Sequence, residues 1–261
     1  MPKMTLVVTA HRTPHLAEAL ESVRAQTTKD FDLVLVADIS SGERVTPIFE
    51  KFAASYRSTE AVLIELHAGS SGVTRNAGFN ATKTEWVAYL DGDDVLSPIA
   101  LETMIRIAER NVADVLSSGL WYILESGNSL EIPSSLTYLP EEHLYRVDPE
   151  SWGHSPFLFQ FSAIKKVVWE RYPYYAGGPG GDDLDFVLHH LLDSRFRKVA
   201  RALYGLRRTP DGASQRSRSR NLVCTCPCSL RYQRDYYTQF LSDIELDQFE
   251  NFHGDSRVIY D

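Results

Sequence analysis

Short apolar runs, each followed by a helix-like segment, are the feature that most constrains how this chain can fold. The first four runs are Thr5–Thr9, Phe31–Ala37, Ala61–Leu66 and Trp86–Leu90. In the segments that follow them, apolar residues recur at helical spacing; these segments are Pro14–Gln26, Val45–Tyr56, Gly72–Ala81 and Ile99–Asn111. Strands that are apolar on both faces and joined by helices form parallel sheets. The sequence therefore predicts an α/β fold with a doubly wound, Rossmann-like, mostly parallel sheet flanked by helices.

The fourth run leads directly into the segment Asp91–Asp94, which carries three carboxylates. Asp91 and Asp93 are two residues apart, so their side chains lie on the same face at the end of the strand. Their mutual repulsion is relieved when a hard divalent cation such as Mg²⁺ or Mn²⁺ lies between them. The alternative is a polar turn in which Asp94 or Ser97 caps the next helix. Since ligands bind beyond the carboxyl ends of parallel strands, the position favours a binding site.

Composition limits the classes of function. The chain has 261 residues and 43% hydrophobic content, enough for one large domain or for one domain with an appendage. A formal net charge of −8 argues against a general nucleic-acid binder, and the arginine cluster Arg207–Arg220 is local. The sequence has neither an apolar run of about 18 residues nor a signal-peptide core, so we expect a cytoplasmic protein without a transmembrane segment. Membrane association through a partner stays open.

The second half is less regular. Strands are predicted at Asp114–Leu124, Phe157–Phe161 and Val199–Tyr204, and helices at Ala163–Arg171, Asp183–Leu192 and Tyr232–Phe249. We therefore divide the chain into a main domain, residues 1–220, and a C-terminal extension, residues 221–261. The main domain has a nucleotide-binding half (1–95) and an acceptor-binding half (96–220). The three cysteines, Cys224, Cys226 and Cys228, fit neither a disulfide framework nor a four-ligand zinc site.

Five motifs, in order along the chain, resemble those of the family 2 glycosyltransferases, which have the GT-A fold. They are Val8–Thr13, Val34–Asp38, Gly72–Gly78, Trp86–Asp94 and Gly181–Phe186, within a similarity that runs from about residue 4 to residue 215. Each motif alone is a weak signal, but the ordered set is specific. The resemblance implies inverting transfer of one sugar from a nucleotide-diphosphate sugar, with a UDP-linked donor favoured. The acceptor stays open, with a glycan, a lipid-linked sugar and a protein as the candidates.

The resemblance also assigns roles to residues. It places the nucleotide at Thr9, Asp38, Arg75 and Asp91. Asp93, supported by Asp91, becomes the principal ligand of Mn²⁺ or Mg²⁺. Asp183 matches the general base, and Asp182 stands where the family usually has Glu. Asn76 and Gly78 are expected to shape helix packing, and Asp94 to meet metal-bound water or to cap a helix. Weaker candidates for contact with the diphosphate or the acceptor are Arg207, Arg208, Asp182, Trp152 and Tyr175.

The chain also departs from the family pattern. The first motif has Val8, Ala10 and His11 where the family has proline, tyrosine and asparagine. Ala37 replaces one aspartate of the second strand, and no histidine follows Arg207 and Arg208. Two rival functions therefore stay open. One is a non-catalytic or weakly active nucleotide-sugar-binding relative, and the other is a nucleotidyltransferase on a similar sheet.

Overall fold

The structure, a computed structural model, describes residues 3–11, 14–56, 60–124, 129–131, 161–174, 176, 182–183, 186, 190 and 194–207. Several predictions lie outside these residues. They concern Trp152, Tyr175, Arg208, the cysteine cluster, the strand before Phe161, the domain boundary at residue 220 and the C-terminal helix.

The predicted alternation of strands and helices in the first part of the chain is confirmed. The elements there are β1 (Met4–Ala10), α1 (Leu16–Arg24), β2 (Phe31–Asp38), α2 (Thr46–Ala53), β3 (Ala61–Leu66), α3 (Ser71–Ala81) and β4 (Trp86–Asp91). The later elements are β5 (Val95–Leu96), α4 (Ala100–Ala108), β6 (Val115–Ile123), β7 (Ser129–Glu131), β8 (Ser162–Lys165), α5 (Lys166–Arg171) and β9 (Phe196–Arg207). In the described ranges, the helices are too short or too polar to cross a bilayer.

The described strands form one mixed sheet in the order β3-β2-β1-β4-β8-β6-β9-β5, with β7 paired to β6. Strands β3, β2, β1 and β4 are parallel, whereas β8 runs antiparallel to both β4 and β6. The register pairs Thr9 with Asp91 and with Val36, two residues before Asp38. The carboxyl ends of β1, β2 and β4 therefore meet at one edge of the sheet, as the sequence predicted.

Both faces of the parallel half are covered, which explains the continuous apolar character of its strands. In β1, Leu6 and Val8 belong to the core that includes α1, while Val7 packs on the opposite face with Phe79 of α3. Gly78 brings α3 close to β1, because a Cβ at this position would collide with the Val7 side chain. The expected packing role of Gly78 is therefore confirmed.

Two predictions about local structure are wrong. Ala163 does not begin a helix, since Ser162–Lys165 forms strand β8 between β4 and β6, and the helix starts at Lys166. Strand pairing overrides helical periodicity here. The expected cap of the helix after the acidic segment is also absent, because α4 has Ile99 at its N-cap, without a side-chain cap hydrogen bond.

Asp94 instead joins the acidic turn, Asp91–Asp94, to the end of β9. The Tyr204 hydroxyl donates to Asp94 Oδ2 at 2.5 Å, and the backbone N–H of Arg207 donates to Asp94 Oδ1 at 2.6 Å. The same hydroxyl accepts from the backbone N–H of Asp91 at 3.4 Å. Burial, reinforced by the charges of Asp93 and Asp91, raises the pKa of Asp94 well above its ordinary value. The Tyr204–Asp94 contact thus fixes the turn against the sheet.

Replacement of Tyr204 by phenylalanine tests this contact. Tyr204→Phe leaves a buried carboxyl without one of its two donors, so the free energy of unfolding should fall by about 1–3 kcal/mol. Urea denaturation at neutral pH measures the change. Tyr172→Phe is the matched control, because this residue is 40% exposed and lies outside the turn, and a change at such a position costs at most about 0.5 kcal/mol. Equal stabilities for the two variants would contradict the assignment.

Candidate active site

The turn after β4 fits tightly against the end of β1. Thr9 Oγ1 donates to Asp91 Oδ1 at 2.8 Å, and the backbone N–H of Gly92 donates to the Thr9 carbonyl at 2.7 Å. A Cβ on Gly92 would lie 2.7 Å from that carbonyl oxygen, so only glycine fits here. The structure therefore brings together two of the residues that the sequence assigns to the nucleotide, Thr9 and Asp91.

Arg75 lies buried between carboxylates from two distant segments. Its Nη2 donates to both oxygens of Asp91 at 3.2 Å, and its Nη1 donates to Asp182 Oδ2. The guanidinium carbon is 4.8 Å from the ring centroid of Tyr89 and 5.6 Å from that of Tyr174. Burial alone would lower the pKa of Arg75, but Asp182 and Asp91 outweigh it and hold that pKa well above its ordinary value. Arg75 is thus a permanent cation shared by two carboxylates.

The neighbours Asp182 and Asp183 differ in their surroundings. Asp182 is 3% exposed and accepts hydrogen bonds from Arg75 and, at 2.7 Å, from Ser71 Oγ. Asp183 is half-buried, and its charge acts on both Arg75 and Tyr89. The described backbone here is helical, as predicted. Because Asp183 is the more exposed of the two, it is the better candidate for a group that takes up a proton.

Asp38 organises the loop that leads into α3. Its carboxylate accepts from the backbone N–H groups of Ser40 at 2.9 Å, Ala68 at 3.1 Å and Gly69 at 3.0 Å. His11 Nδ1 lies 3.3 Å from Asp38 Oδ2. Burial raises the pKa of Asp38, but the hydrogen bonds outweigh it, so the net pKa is lower than usual. Contact with a nucleotide base stays a prediction for Asp38, and its role in the loop is one that sequence reasoning missed.

Asp93 lies at the exposed tip of the acidic turn. Desolvation and then the negative charge of Asp91 raise the pKa of Asp93. In the part of the chain that the structure describes, no group of three or more His, Cys, Asp or Glu side chains is arranged to hold a metal ion. Asp91 and Asp93 nevertheless offer hard oxygen ligands, and the charge of Asp91 still acts on Asp93, which fits an ion that is held jointly with a substrate's phosphates.

Arg207 is attached to the acidic turn from the other side. Its Nε donates to the Asp93 carbonyl at 2.8 Å, and its Nη2 donates to Glu18 Oε2 of α1 at 2.6 Å. These contacts leave its side chain 12% exposed. Arg207 therefore supports the backbone of the turn, and its predicted contact with a diphosphate stays a prediction.

Asn76 links α3 to the chain that precedes Asp182. Its Oδ1 accepts from Trp169 Nε1 at 2.8 Å and from the backbone N–H of Tyr174 at 2.9 Å, and its Nδ2 donates to the Tyr174 carbonyl at 2.7 Å. The expected packing role of Asn76 is confirmed. Sequence reasoning missed the site contacts of Ser71 and Tyr204, because their partners, Asp182 and Asp94, lie far away along the chain.

Comparison with known proteins supports the family that the five motifs resemble. The sequence profile described as "Glycosyl transferase family 2" matches residues 5–171. The "Uncharacterized glycosyltransferase MJ1057" of Methanocaldococcus jannaschii is 28% identical over 148 residues, 56% of this chain and 49% of that protein. The "Succinoglycan biosynthesis protein ExoO" of Rhizobium meliloti is 31% identical over 144 residues, 54% of this chain and 40% of that protein. The chain spans about half the length, or less, of these curated relatives.

A solved structure shares the fold. TarS 1–349 of S. aureus, in complex with UDP-GlcNAc, matches with a TM-score of 0.66 at 16% identity, over 97% of this chain and 80% of that one. This likeness confirms the predicted GT-A-like fold. The family profile covers more than half of the residues of this chain, which therefore belongs to glycosyl transferase family 2.

Proposed function

We propose that the chain transfers one sugar, with inversion, from a nucleotide-diphosphate sugar to an acceptor hydroxyl. The observation that carries the proposal is the position of Arg75, which joins Asp91 at the end of β4 to Asp182 beside the candidate base. Membership of family 2 supports sugar transfer. The UDP-GlcNAc complex of TarS favours a UDP-linked donor.

The donor belongs at the carboxyl edge of β1, β2 and β4, where ligands of such sheets bind. In this proposal the nucleotide contacts Thr9, Asp38 and Asp91, and the diphosphate lies near Asp93. Asp93, with Asp91, would hold Mn²⁺ or Mg²⁺. When bound, such an ion neutralises the charge that develops on the departing nucleoside diphosphate.

The transfer is a single displacement. The acceptor oxygen attacks the anomeric carbon as the bond from that carbon to the diphosphate oxygen breaks, and the bonding electrons leave with the nucleoside diphosphate. Asp183 accepts the hydroxyl proton and later releases it to solvent. Asp182 is unsuited to this task, since Ser71 and Arg75 occupy its two oxygens. Attack from the face opposite the leaving group inverts the anomeric configuration.

Nucleotide binding is the first test. A panel of nucleoside diphosphates, with and without Mn²⁺, should raise Tm most for UDP with metal. Ligand at about a hundred times its Kd stabilises by about 2.7 kcal/mol, which corresponds to a Tm increase on the order of 5 to 10 °C. Asp93→Asn should lose the metal-dependent part of this shift. Asp30→Asn, an exposed carboxylate just before β2 at the opposite edge of the sheet, should retain it.

Two outcomes, one from this panel and one from an assay of UDP release, would count against the proposal. If no nucleotide changes Tm even with metal, the donor site is wrong. If UDP binds but the wild-type protein releases no UDP from any UDP-sugar in a panel of glycan, lipid-linked and protein acceptors, a nucleotide-sugar-binding protein becomes the better interpretation.

The base is tested by Asp183→Asn. This variant keeps the shape of the side chain but cannot accept the proton, so release of UDP from the UDP-sugar panel should fall by about 10²–10⁴-fold. The affinity for UDP, measured by calorimetry, should stay close to that of the wild type. Retained turnover in this variant would show that another group is the base.

A further inference from the structure

One face of helix α3 holds the segment that carries Asp182 and Asp183. Ser71 and Arg75 are four residues apart, so they lie on the same side of the helix, and both donate to Asp182. Asn76, the next residue, holds the backbone of Tyr174 by two hydrogen bonds. Helix α3 therefore contacts this part of the chain at two separate points.

Arg75 has little surface left for a substrate. Its two terminal nitrogens donate to Asp182 and Asp91, and its guanidinium lies near the rings of Tyr89 and Tyr174. The side chain is 8% exposed. A direct nucleotide contact, which the family resemblance implies, would require these partners to be given up.

The charge of Arg75 is also what allows Asp182 to be buried. The Asp182 side chain is 4% exposed, and a carboxylate so far from water is stable only with a cation and hydrogen bonds. Removal of the guanidinium would leave this charge uncompensated, so Asp182 would protonate or move towards solvent. Either change removes the ion pair that holds Asp182, and with it the support for Asp183, the next residue.

We propose that Arg75 is a positioning residue, which acts through Asp182 to place the base Asp183 at the end of β4. The inference rests on the proposed function. It assigns the main effect of Arg75 to kcat, through the placement of the base, and not to the binding of the nucleotide. The same guanidinium also pairs with Asp91. Arg75 therefore also fixes the position of Asp182 relative to Asp91, at the carboxyl end of β4.

A double-mutant cycle tests the proposal. Arg75→Met and Asp182→Asn should each lower kcat for UDP release by about 10²-fold, the effect of roughly 1 Å of misplacement. The double variant should be no slower than the slower single variant, because all three lose the same interaction. Arg75→Lys should have a higher kcat than Arg75→Met, since lysine keeps the positive charge but lacks the two terminal nitrogens that bind Asp182 and Asp91. Affinity for UDP, measured by calorimetry, should change little across the series.

Two further variants control the cycle. Arg195→Met removes an arginine whose ion pair with Asp114, 2.8 Å long, lies at the opposite edge of the sheet, and it should leave kcat unchanged. If the Arg75 variants do not fold, Ser71→Ala removes only the second donor to Asp182, and it should lower kcat severalfold with no loss of UDP affinity.

The outcomes separate the two proposals. Independent, multiplicative effects of Arg75→Met and Asp182→Asn would overturn the positioning role and leave sugar transfer intact. So would an Arg75→Met variant that loses UDP affinity at unchanged kcat, since that is the behaviour of a nucleotide contact. A wild-type protein that binds UDP but releases none from any donor would overturn the proposed function and the base-positioning role with it.

Discussion

Electrostatic repulsion at the carboxyl edge of the sheet is the constraint on which the site depends. The parallel register brings Asp91, Asp93 and Asp94 to the end of β4, and Asp182 and Asp183 lie nearby. So many carboxylates cannot lie together without compensation. The fold compensates Asp91 and Asp182 with one buried guanidinium, and satisfies Asp94 with a tyrosine hydroxyl and a backbone amide. Asp93 is left at the surface with a raised pKa.

This distribution gives chemically similar residues different surroundings. Asp94 is buried and fixes the turn to β9, while Asp93, one residue earlier, faces solvent. The same contrast holds between Asp182, which is bound within the protein, and Asp183, which is more exposed. In both pairs, the more buried member is held by hydrogen bonds within the protein, and its neighbour is the more exposed of the two. Sites that must hold a residue to within a fraction of an ångström commonly need such support.

Local sequence patterns were sufficient to predict much of the fold and part of the candidate site. Hydrophobic periodicity and composition predicted the first four strands, because strands that are covered on both faces have continuous apolar sequences. The start of the helix at Ala163 was wrong, because β8 exists only through its pairing with β4 and β6. Asp94 was misread for a related reason, since its partner Tyr204 lies 110 residues away in the middle of an ordinary strand. Motif order singled out residues that the structure brings into contact, such as Thr9, Arg75 and Asp91, whereas the partner of each depends on tertiary contacts.

The loop around Asp38 has a consequence for how this chain can vary. Asp38 is held by main-chain amides of Ser40, Ala68 and Gly69, and every residue type except proline supplies such a donor. The side chain at residue 68 can therefore change without loss of these hydrogen bonds, whereas Ser40 also bonds Asp38 through its side chain. Gly69 is more restricted, because its φ of +69° disfavours other residues. The loop can thus diverge in sequence, and in what its side chains present to a ligand, while its backbone keeps the same shape.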